Sequence, residues 1–285
     1  MAANNLSHVI TVIHGKIEDI DLPEKVDLII SEPMGVLLVH ERMIESFLLA
    51  RDRFLKPKVA ALCPPSCMFP SRSCIYLSPF TDSQGFIDMM GKARFWEQSD
   101  FFGVNLDSLR ETSILHYFTQ PVVGNFDAKT LMSPGPLSHA LDFTRMSLDA
   151  LYEIEIPLDF ELCYTGLVHG LAGWFDVDFM GSSVIMKLTT SPAMDQTHWH
   201  QIRFFLPQPI AVNAGDRLVG SMKMRVNGKR SYDIDLHLAL ASNPTLIHRN
   251  YAYALHEQQY NYSTATYPDT SAFRPEYVNL YGKEQ

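Results

Sequence analysis

The strongest constraint in this chain is a strict alternation of apolar and polar residues. YEIEIPLDFEL puts Ile154, Ile156, Leu158, Phe160 and Leu162 on one side of an extended backbone, and SYDIDLHLAL does the same with Tyr232, Ile234, Leu236, Leu238 and Leu240. A period of two is the mark of a half-buried strand and does not suit a helix. FDVDF repeats the pattern in miniature, and NAGD and VNGK supply turn residues between runs. Strands of this kind from about residue 58 to about residue 250 predict an antiparallel sandwich or barrel. A segment from about residue 95 to 131 breaks the rhythm. FWEQSDFFGVNLDSLRETSILHYF reads as partly helical and rich in aromatics, and it is expected to form an arm that packs on another subunit. Residues 251–285, with EQQYNYSTATYPDTSAFRPEY, are polar and aperiodic and are expected to be a disordered tail.

Residues 1–57 follow a different logic. VITVI is a short β-branched run, KVDLIIS is an apolar strand of the buried, parallel kind, and ERMIESFLLARDRFLKP is a helix. Its apolar positions Met43, Ile44, Phe47, Leu48 and Phe54 fall largely on one stripe. In open α/β sheets ligands bind at the carboxyl ends of strands. SEPMGVLLVHERM lies there, with Glu32 expected at the end of the strand and Glu41 at the amino end of the helix, where the helix dipole favours a negative charge. Two close carboxylates repel, and one would take up a proton unless a cation is meant to sit between them. A metal ion, a sugar-like transition state and a guanidinium all meet that requirement. About two strands are too few for a doubly wound sheet, and no G-x-G appears in the chain.

The net charge of −9 and the absence of a basic face argue against direct nucleic-acid binding and suit a basic substrate. No apolar run reaches about 18 residues, so no membrane span is expected. MAANNLSHVI lacks the charged and apolar regions of a secretory signal. Cys63, Cys67, Cys74 and Cys163 do not match a zinc knuckle and are expected to be free thiols. THWH sets His198 and His200 on one face of a strand, but no third ligand is apparent, so no metal site is assigned.

Several stretches together resemble a known family. SEPMG followed by ERM is similar to the double-glutamate loop of the protein arginine methyltransferases, and THW at residues 197 to 199 resembles that family's Thr-His-Trp loop. GKIEDIDLPEKVDLIISEPMG, FGVNLDSL, FTQPVV, HGLAGWFDVDF and THWHQIRFFL fall in the family's order, with wording nearest to the coactivator-associated, type I branch. The resemblance runs from about residue 4 to about residue 240. It implies the C-terminal part of a Rossmann-like S-adenosylmethionine-binding domain, followed by an antiparallel β-barrel with an inserted helical dimerisation arm. It implies Glu32 and Glu41 as the catalytic pair that grips the substrate guanidinium. Glu18, Met43 and Ser46 would line the cofactor, and Met34, His198 and Trp199 the arginine pocket. Taken alone, Glu18 reads as a solvated loop acid, Ser46 as a helix-surface residue, Met43 as core and His198 as a polar strand end. The partners implied are arginine-bearing proteins such as histones and a second copy of the chain, with nuclear and cytoplasmic residence.

The chain also departs from the family pattern. Its first residues align with the middle of the family's α/β domain, so the Gly-rich loop and the ribose-binding acid have no counterpart here. KPKVAALCPPSCMFPS replaces a short Gly-containing turn, and Val36 and His40 stand where the animal relative has tyrosine and asparagine. Two rival functions follow: a non-catalytic chain that dimerises with a full-length methyltransferase, and a glycosidase using Glu32 and Glu41 as acid and base. Few sugar-stacking aromatics near the pair argue against the second.

Overall fold

A computed structural model of the chain describes residues 1–56, 67–242 and 248–261. Its elements run β1 (Ile29–Ile30), α1 (Met43–Phe54), β2 (Met68–Phe69), β3 (Arg72–Phe80), α2 (Ser83–Arg94), α3 (Arg110–Phe118), β4 (Val122–Gly124) and β5 (Leu137–Asp142). They continue with β6 (Glu153–Glu161), β7 (Gly166–Met180), β8 (Ile185–Thr189), β9 (Gln201–Val212), β10 (Arg217–Val226), β11 (Tyr232–Leu240), β12 (His248–Ala254) and β13 (Gln259–Tyr260).

The alternating stretches form strands with the expected faces. Along β6 the buried residues are every second one, and the inward residues of β11 run from Tyr232 to Leu240. Both strands flank or pair β10 antiparallel, in the sheet β12-β11-β10-β6. The turn between β9 and β10 is closed by Gly215 at φ +86°, a conformation open to glycine, and by the Asp216 carboxylate, which accepts the Asn213 N–H at 2.7 Å. The second sheet runs β13-β4-β9-β7-β3-β5, with β8 added on β7. The expected barrel is thus realised as two sheets sharing one apolar core, with no ladder joining them among the described residues. The inner face of β6, β10 and β11 meets Ile75, Leu77, Val177 and Phe204 of the other sheet.

The larger sheet is covered on its other face too. The helices α2 and α3 pack there, with Met89 of α2 and Phe118 of α3 over Phe80, Trp174 and Phe205. FDVDF is also not half-exposed as the alternation suggests: Asp176 is 2% exposed, beside Lys187 of the added strand β8. Beneath the helices lies a buried ion pair, Arg203 to Asp82 at 2.5 Å, with the guanidinium over the rings of Phe126 and Phe205. The helical segment begins before residue 95, since α2 starts at Ser83, and β4 lies within the range 95–131 expected to be helical. Asp82 caps α2 by accepting the Gly85 N–H, a signal overlooked among aromatics.

Three other expectations need correction. VITVI forms no strand, and KVDLIIS is extended into a ladder only at Ile29–Ile30, paired in parallel with β2. A strand needs a neighbour for its backbone groups, and no second neighbour of β1 stands among the described residues. Val9, Val12 and Ile30 are accordingly 70%, 73% and 74% exposed. The tail expected from residue 251 is ordered at its start, because β12 pairs β11 and β13 pairs β4. The remainder of that tail, Cys63 and most of the insert lie outside the described residues. Cys67, Cys74 and Cys163 are free thiols.

Candidate active site

The loop between β1 and α1 carries an unusual backbone. Leu37, Leu38, Glu41 and Arg42 all have positive φ, at 51°, 70°, 69° and 58°. A left-handed residue other than glycine costs about 1 kcal/mol or more, so four of them within six positions persist only if the surroundings impose them. Three kinds of contact do so. Leu37, Leu38 and Val39 are buried in the main core. Gly35 and Leu38 exchange two backbone hydrogen bonds of 2.9 Å each, closing a tight turn. The loop's far end is then tied to the β10–β11 hairpin. His40 Nδ1 lies 2.9 Å from Ser231 Oγ, and Arg42 donates to the Asn227 carbonyl at 3.3 Å while pairing with Glu45 at 2.5 Å. Burial holds the His40 imidazole below its ordinary pKa, against the pull of neighbouring Glu41. Gly35 is required for steric reasons: a Cβ there would lie 2.1 Å from the His40 carbonyl oxygen.

This geometry leaves both candidate acids on the surface. Glu32 and Glu41 are exposed, and among the described residues neither has a hydrogen bond or salt bridge. Glu41 does not sit in the first turn of α1 as expected from sequence. It lies two residues before that helix, in left-handed backbone, so the loop rather than the helix dipole sets its direction.

The Thr-His-Trp segment meets this loop from the larger sheet. Trp199 donates its indole N–H to the Met34 carbonyl at 2.9 Å, and its ring edge packs on Phe175. The exposed His198 ring lies against Trp199, with centroids 3.8 Å apart and the planes tilted by 34°. Met34 itself is buried. So Met34, His198 and Trp199 are brought to the side of the loop bearing Glu32, across 165 residues of sequence. His200 is turned elsewhere, with Nδ1 3.4 Å from Asn125 Oδ1.

A third cluster flanks α1. Ser46 donates to a Glu18 carboxylate oxygen, and this hydrogen bond is the main reason the Glu18 pKa is lowered. Arg53 gathers the carbonyls of Ile17, Glu18 and Ile20 and the Asp21 carboxylate, which fastens the segment 17–21 to the helix. Met43, partly buried, opens α1 between this cluster and the loop. Sequence reasoning missed Gly35, Arg42, Asn227, Ser231 and Arg53. Local signals marked only Gly35, an isolated glycine in an apolar run, and Asn227, in the turn stretch VNGK.

A family profile described as the arginine methyltransferase oligomerization subdomain matches residues 71–243. A probable histone-arginine methyltransferase CARM1 of Oryza sativa subsp. indica is 48% identical over 235 residues, which is 82% of this chain and 43% of the relative. The histone-arginine methyltransferase CARMER of Drosophila willistoni is 44% identical over 87% of this chain and 46% of its own length. The chain thus spans less than half the length of these curated relatives. Among solved structures, a Trypanosoma brucei PRMT1 enzyme-prozyme heterotetrameric complex with AdoHcy superposes with a TM-score of 0.73 at 28% identity, covering 89% of this chain and 76% of that one. Arabidopsis thaliana protein arginine methyltransferase 10 gives 0.72 at 28% identity, covering 88% and 77%.

Proposed function

The chain belongs to the protein arginine methyltransferase family, and on that premise we propose that it carries the arginine-gripping part of a type I protein-arginine N-methyltransferase acting on histones and other nuclear proteins. The observation that carries this reading is the Trp199–Met34 hydrogen bond, which couples the Thr-His-Trp segment to a strained loop presenting two unpaired carboxylates. A guanidinium is planar and permanently charged, and its N–H groups match carboxylates in forked, charge-assisted pairs. Glu32 and Glu41 hold that cation and keep its positive charge on the nitrogens they bind. The remaining terminal nitrogen is left richer in electrons and oriented for attack, and positioning of this kind supplies much of a methyl-transfer rate. Met34, His198 and Trp199 wall the arginine side chain.

S-adenosylmethionine supplies, when bound, the sulfonium methyl that is transferred. The residues present fit one wall of such a site. Ser46 fixes one Glu18 oxygen, leaving the other exposed as an acceptor for an exocyclic amine, and Met43 stands beside the loop. The test is methyl transfer from labelled S-adenosylmethionine to an arginine-bearing histone peptide. Glu32→Gln and Glu41→Gln should each lower the rate about 100-fold, corresponding to ~3 kcal/mol for one catalytic electrostatic contact. Absence of any thermal shift with millimolar cofactor overturns an active chain.

The exposed apolar side chains Val9 and Val12, and Ile30 in the short β1, favour a second reading. In it the chain is a non-catalytic subunit that dimerises through the arm with a full-length methyltransferase. Co-purification with such an enzyme, together with no methyl transfer by the chain itself, distinguishes the two.

A further inference from the structure

We propose, on the arginine-gripping reading above, that proton binding at His40 and guanidinium binding at Glu41 oppose each other, so that the charge of one imidazole sets how tightly the loop 31–43 holds a substrate arginine. His40 directly precedes Glu41 in the chain, and its ring is fixed in place. Nδ1 lies 2.9 Å from Ser231 Oγ, and Ser231 is fully buried. The Ser231 N–H donates to Asn227 Oδ1 at 3.2 Å and its carbonyl accepts the Asn227 N–H at 2.9 Å, so the anchor belongs to the turn of the β10–β11 hairpin. On the loop's own side, the His40 N–H donates to the Val36 carbonyl at 3.2 Å.

This anchor survives protonation. An imidazolium carries a proton on both ring nitrogens, so Nδ1–H donates to the Ser231 hydroxyl. Protonation therefore adds a positive charge beside Glu41 and leaves the loop where it is. Most other charged groups around the ring are already engaged. Arg42 pairs with Glu45 of α1 at 2.5 Å, and the Asp233 carboxylate of β11 accepts the Asn227 side-chain amide at 2.8 Å. Tyr232 stays neutral, because burial raises its phenol well above the ordinary pKa. His256, beyond β12, has Nδ1 3.2 Å from the Asn227 amide and Nε2 3.9 Å from Glu257. Lys229 and Arg230 lie exposed at the hairpin tip. Among the described residues Glu41 has no such partner. Burial lowers the His40 pKa, the Glu41 charge opposes that lowering, and His256 adds to it.

A guanidinium seated on Glu41 cancels the carboxylate's pull on the imidazole. An imidazolium then faces a cation in place of a bare carboxylate, and each weakens the other. Unit charges about 7 Å apart at a protein surface change each other's binding about 5-fold, and linkage makes the factor the same in both directions. Because burial lowers the His40 pKa, the ring is neutral and the grip is full at neutral pH. The grip weakens as pH falls through the lowered value.

The test uses the full chain with ¹³C-labelled histidine, the His40 ring being assigned through its own backbone amide. The probes are acetyl-Gly-Gly-Arg-Gly-Gly-amide and its glutamine counterpart, each titrated to about 10 mM. The expected result is that the arginine peptide lowers the proton affinity of His40 about 5-fold, while the glutamine peptide leaves it in place. Between about pH 7.5 and about pH 5, the dissociation constant of the arginine peptide should rise about 5-fold more in the unsubstituted chain than in His40→Asn. Protonation of Glu32 and Glu41 weakens both chains alike and drops out of that comparison. Glu41→Gln, the second variant, should lower the His40 titration midpoint and make it indifferent to the peptide. A midpoint that ignores saturating arginine peptide, equal pH dependence in the two chains, or a pH step abolished by His256→Gln and kept by His40→Asn overturns the proposal while the grip on arginine stands. No binding of the arginine peptide at about pH 7.5 overturns the arginine-gripping reading itself, and the coupling with it.

Discussion

Replacing Trp199 with phenylalanine tests whether the strained loop is held by the Thr-His-Trp segment. The substitution keeps an aromatic ring beside Phe175 and His198 and removes the indole N–H that donates to Met34 at 2.9 Å, together with some ring volume at the edge of the core. One such hydrogen bond contributes about 1 kcal/mol net, and the Met34 carbonyl is left without that partner. The loop already carries four left-handed residues, so the loss falls on a segment with little reserve. About 1 kcal/mol corresponds to a roughly 5-fold change in a local opening equilibrium. Hydrogen exchange should therefore quicken about 5-fold at Leu38, His40 and Arg42, whose amides bond Gly35, Val36 and Val39 within the loop. Global melting should fall by only about 2 °C for a chain of this size. Unchanged exchange in the loop, with the indole bond gone, would refute the coupling between the two segments.

Other perturbations have equally definite outcomes. Arg203→Met leaves Asp82 buried without its partner and should cost about 3–5 kcal/mol in chemical denaturation, while the double variant with Asp82→Asn recovers most of that loss. Burial raises the Asp176 pKa, so the folded state holds that proton more tightly than the unfolded chain; the stability it contributes is full below the ordinary aspartate range and is lost as pH rises through the raised value. Asp176→Asn, which mimics the protonated form, should thus raise the melting temperature near neutral pH and leave it unchanged at about pH 3. Ser46→Ala should move the Glu18 pKa back up toward its ordinary value, read from the carboxyl carbon resonance, since the hydroxyl is the chief cause of the lowering.

Much of the architecture was legible in the residues because strand geometry has a period of two. The runs through Ile154 and Tyr232 could bury their apolar sets in one way only, and the sheets they form follow that pattern. The candidate residues Glu32, Glu41, His198 and Trp199 could be singled out as well, since they sit in short motifs with recognisable wording. Where sequence reading went wrong, a missing or unseen neighbour explains it. VITVI and most of KVDLIIS have strand composition, but backbone groups pair only where a second strand is present. FDVDF looks half-exposed, yet Asp176 is buried beside Lys187 of β8 and Tyr76 of β3, because burial depends on what lies above a sheet as well as on its own alternation.

Taken by itself, the sequence determined which residues face the core along the antiparallel strands, and which short motifs carry acids and aromatics. Only the tertiary structure decided how those motifs meet. The indole of Trp199 reaches the Met34 carbonyl, Ser231 and Asn227 anchor His40 and Arg42, and the arm buries Arg203 against Asp82. The physical reason is one of range. Side-chain alternation is set by the local geometry of each residue, whereas the left-handed backbone that directs Glu41 is imposed by contacts more than 180 residues away in the chain.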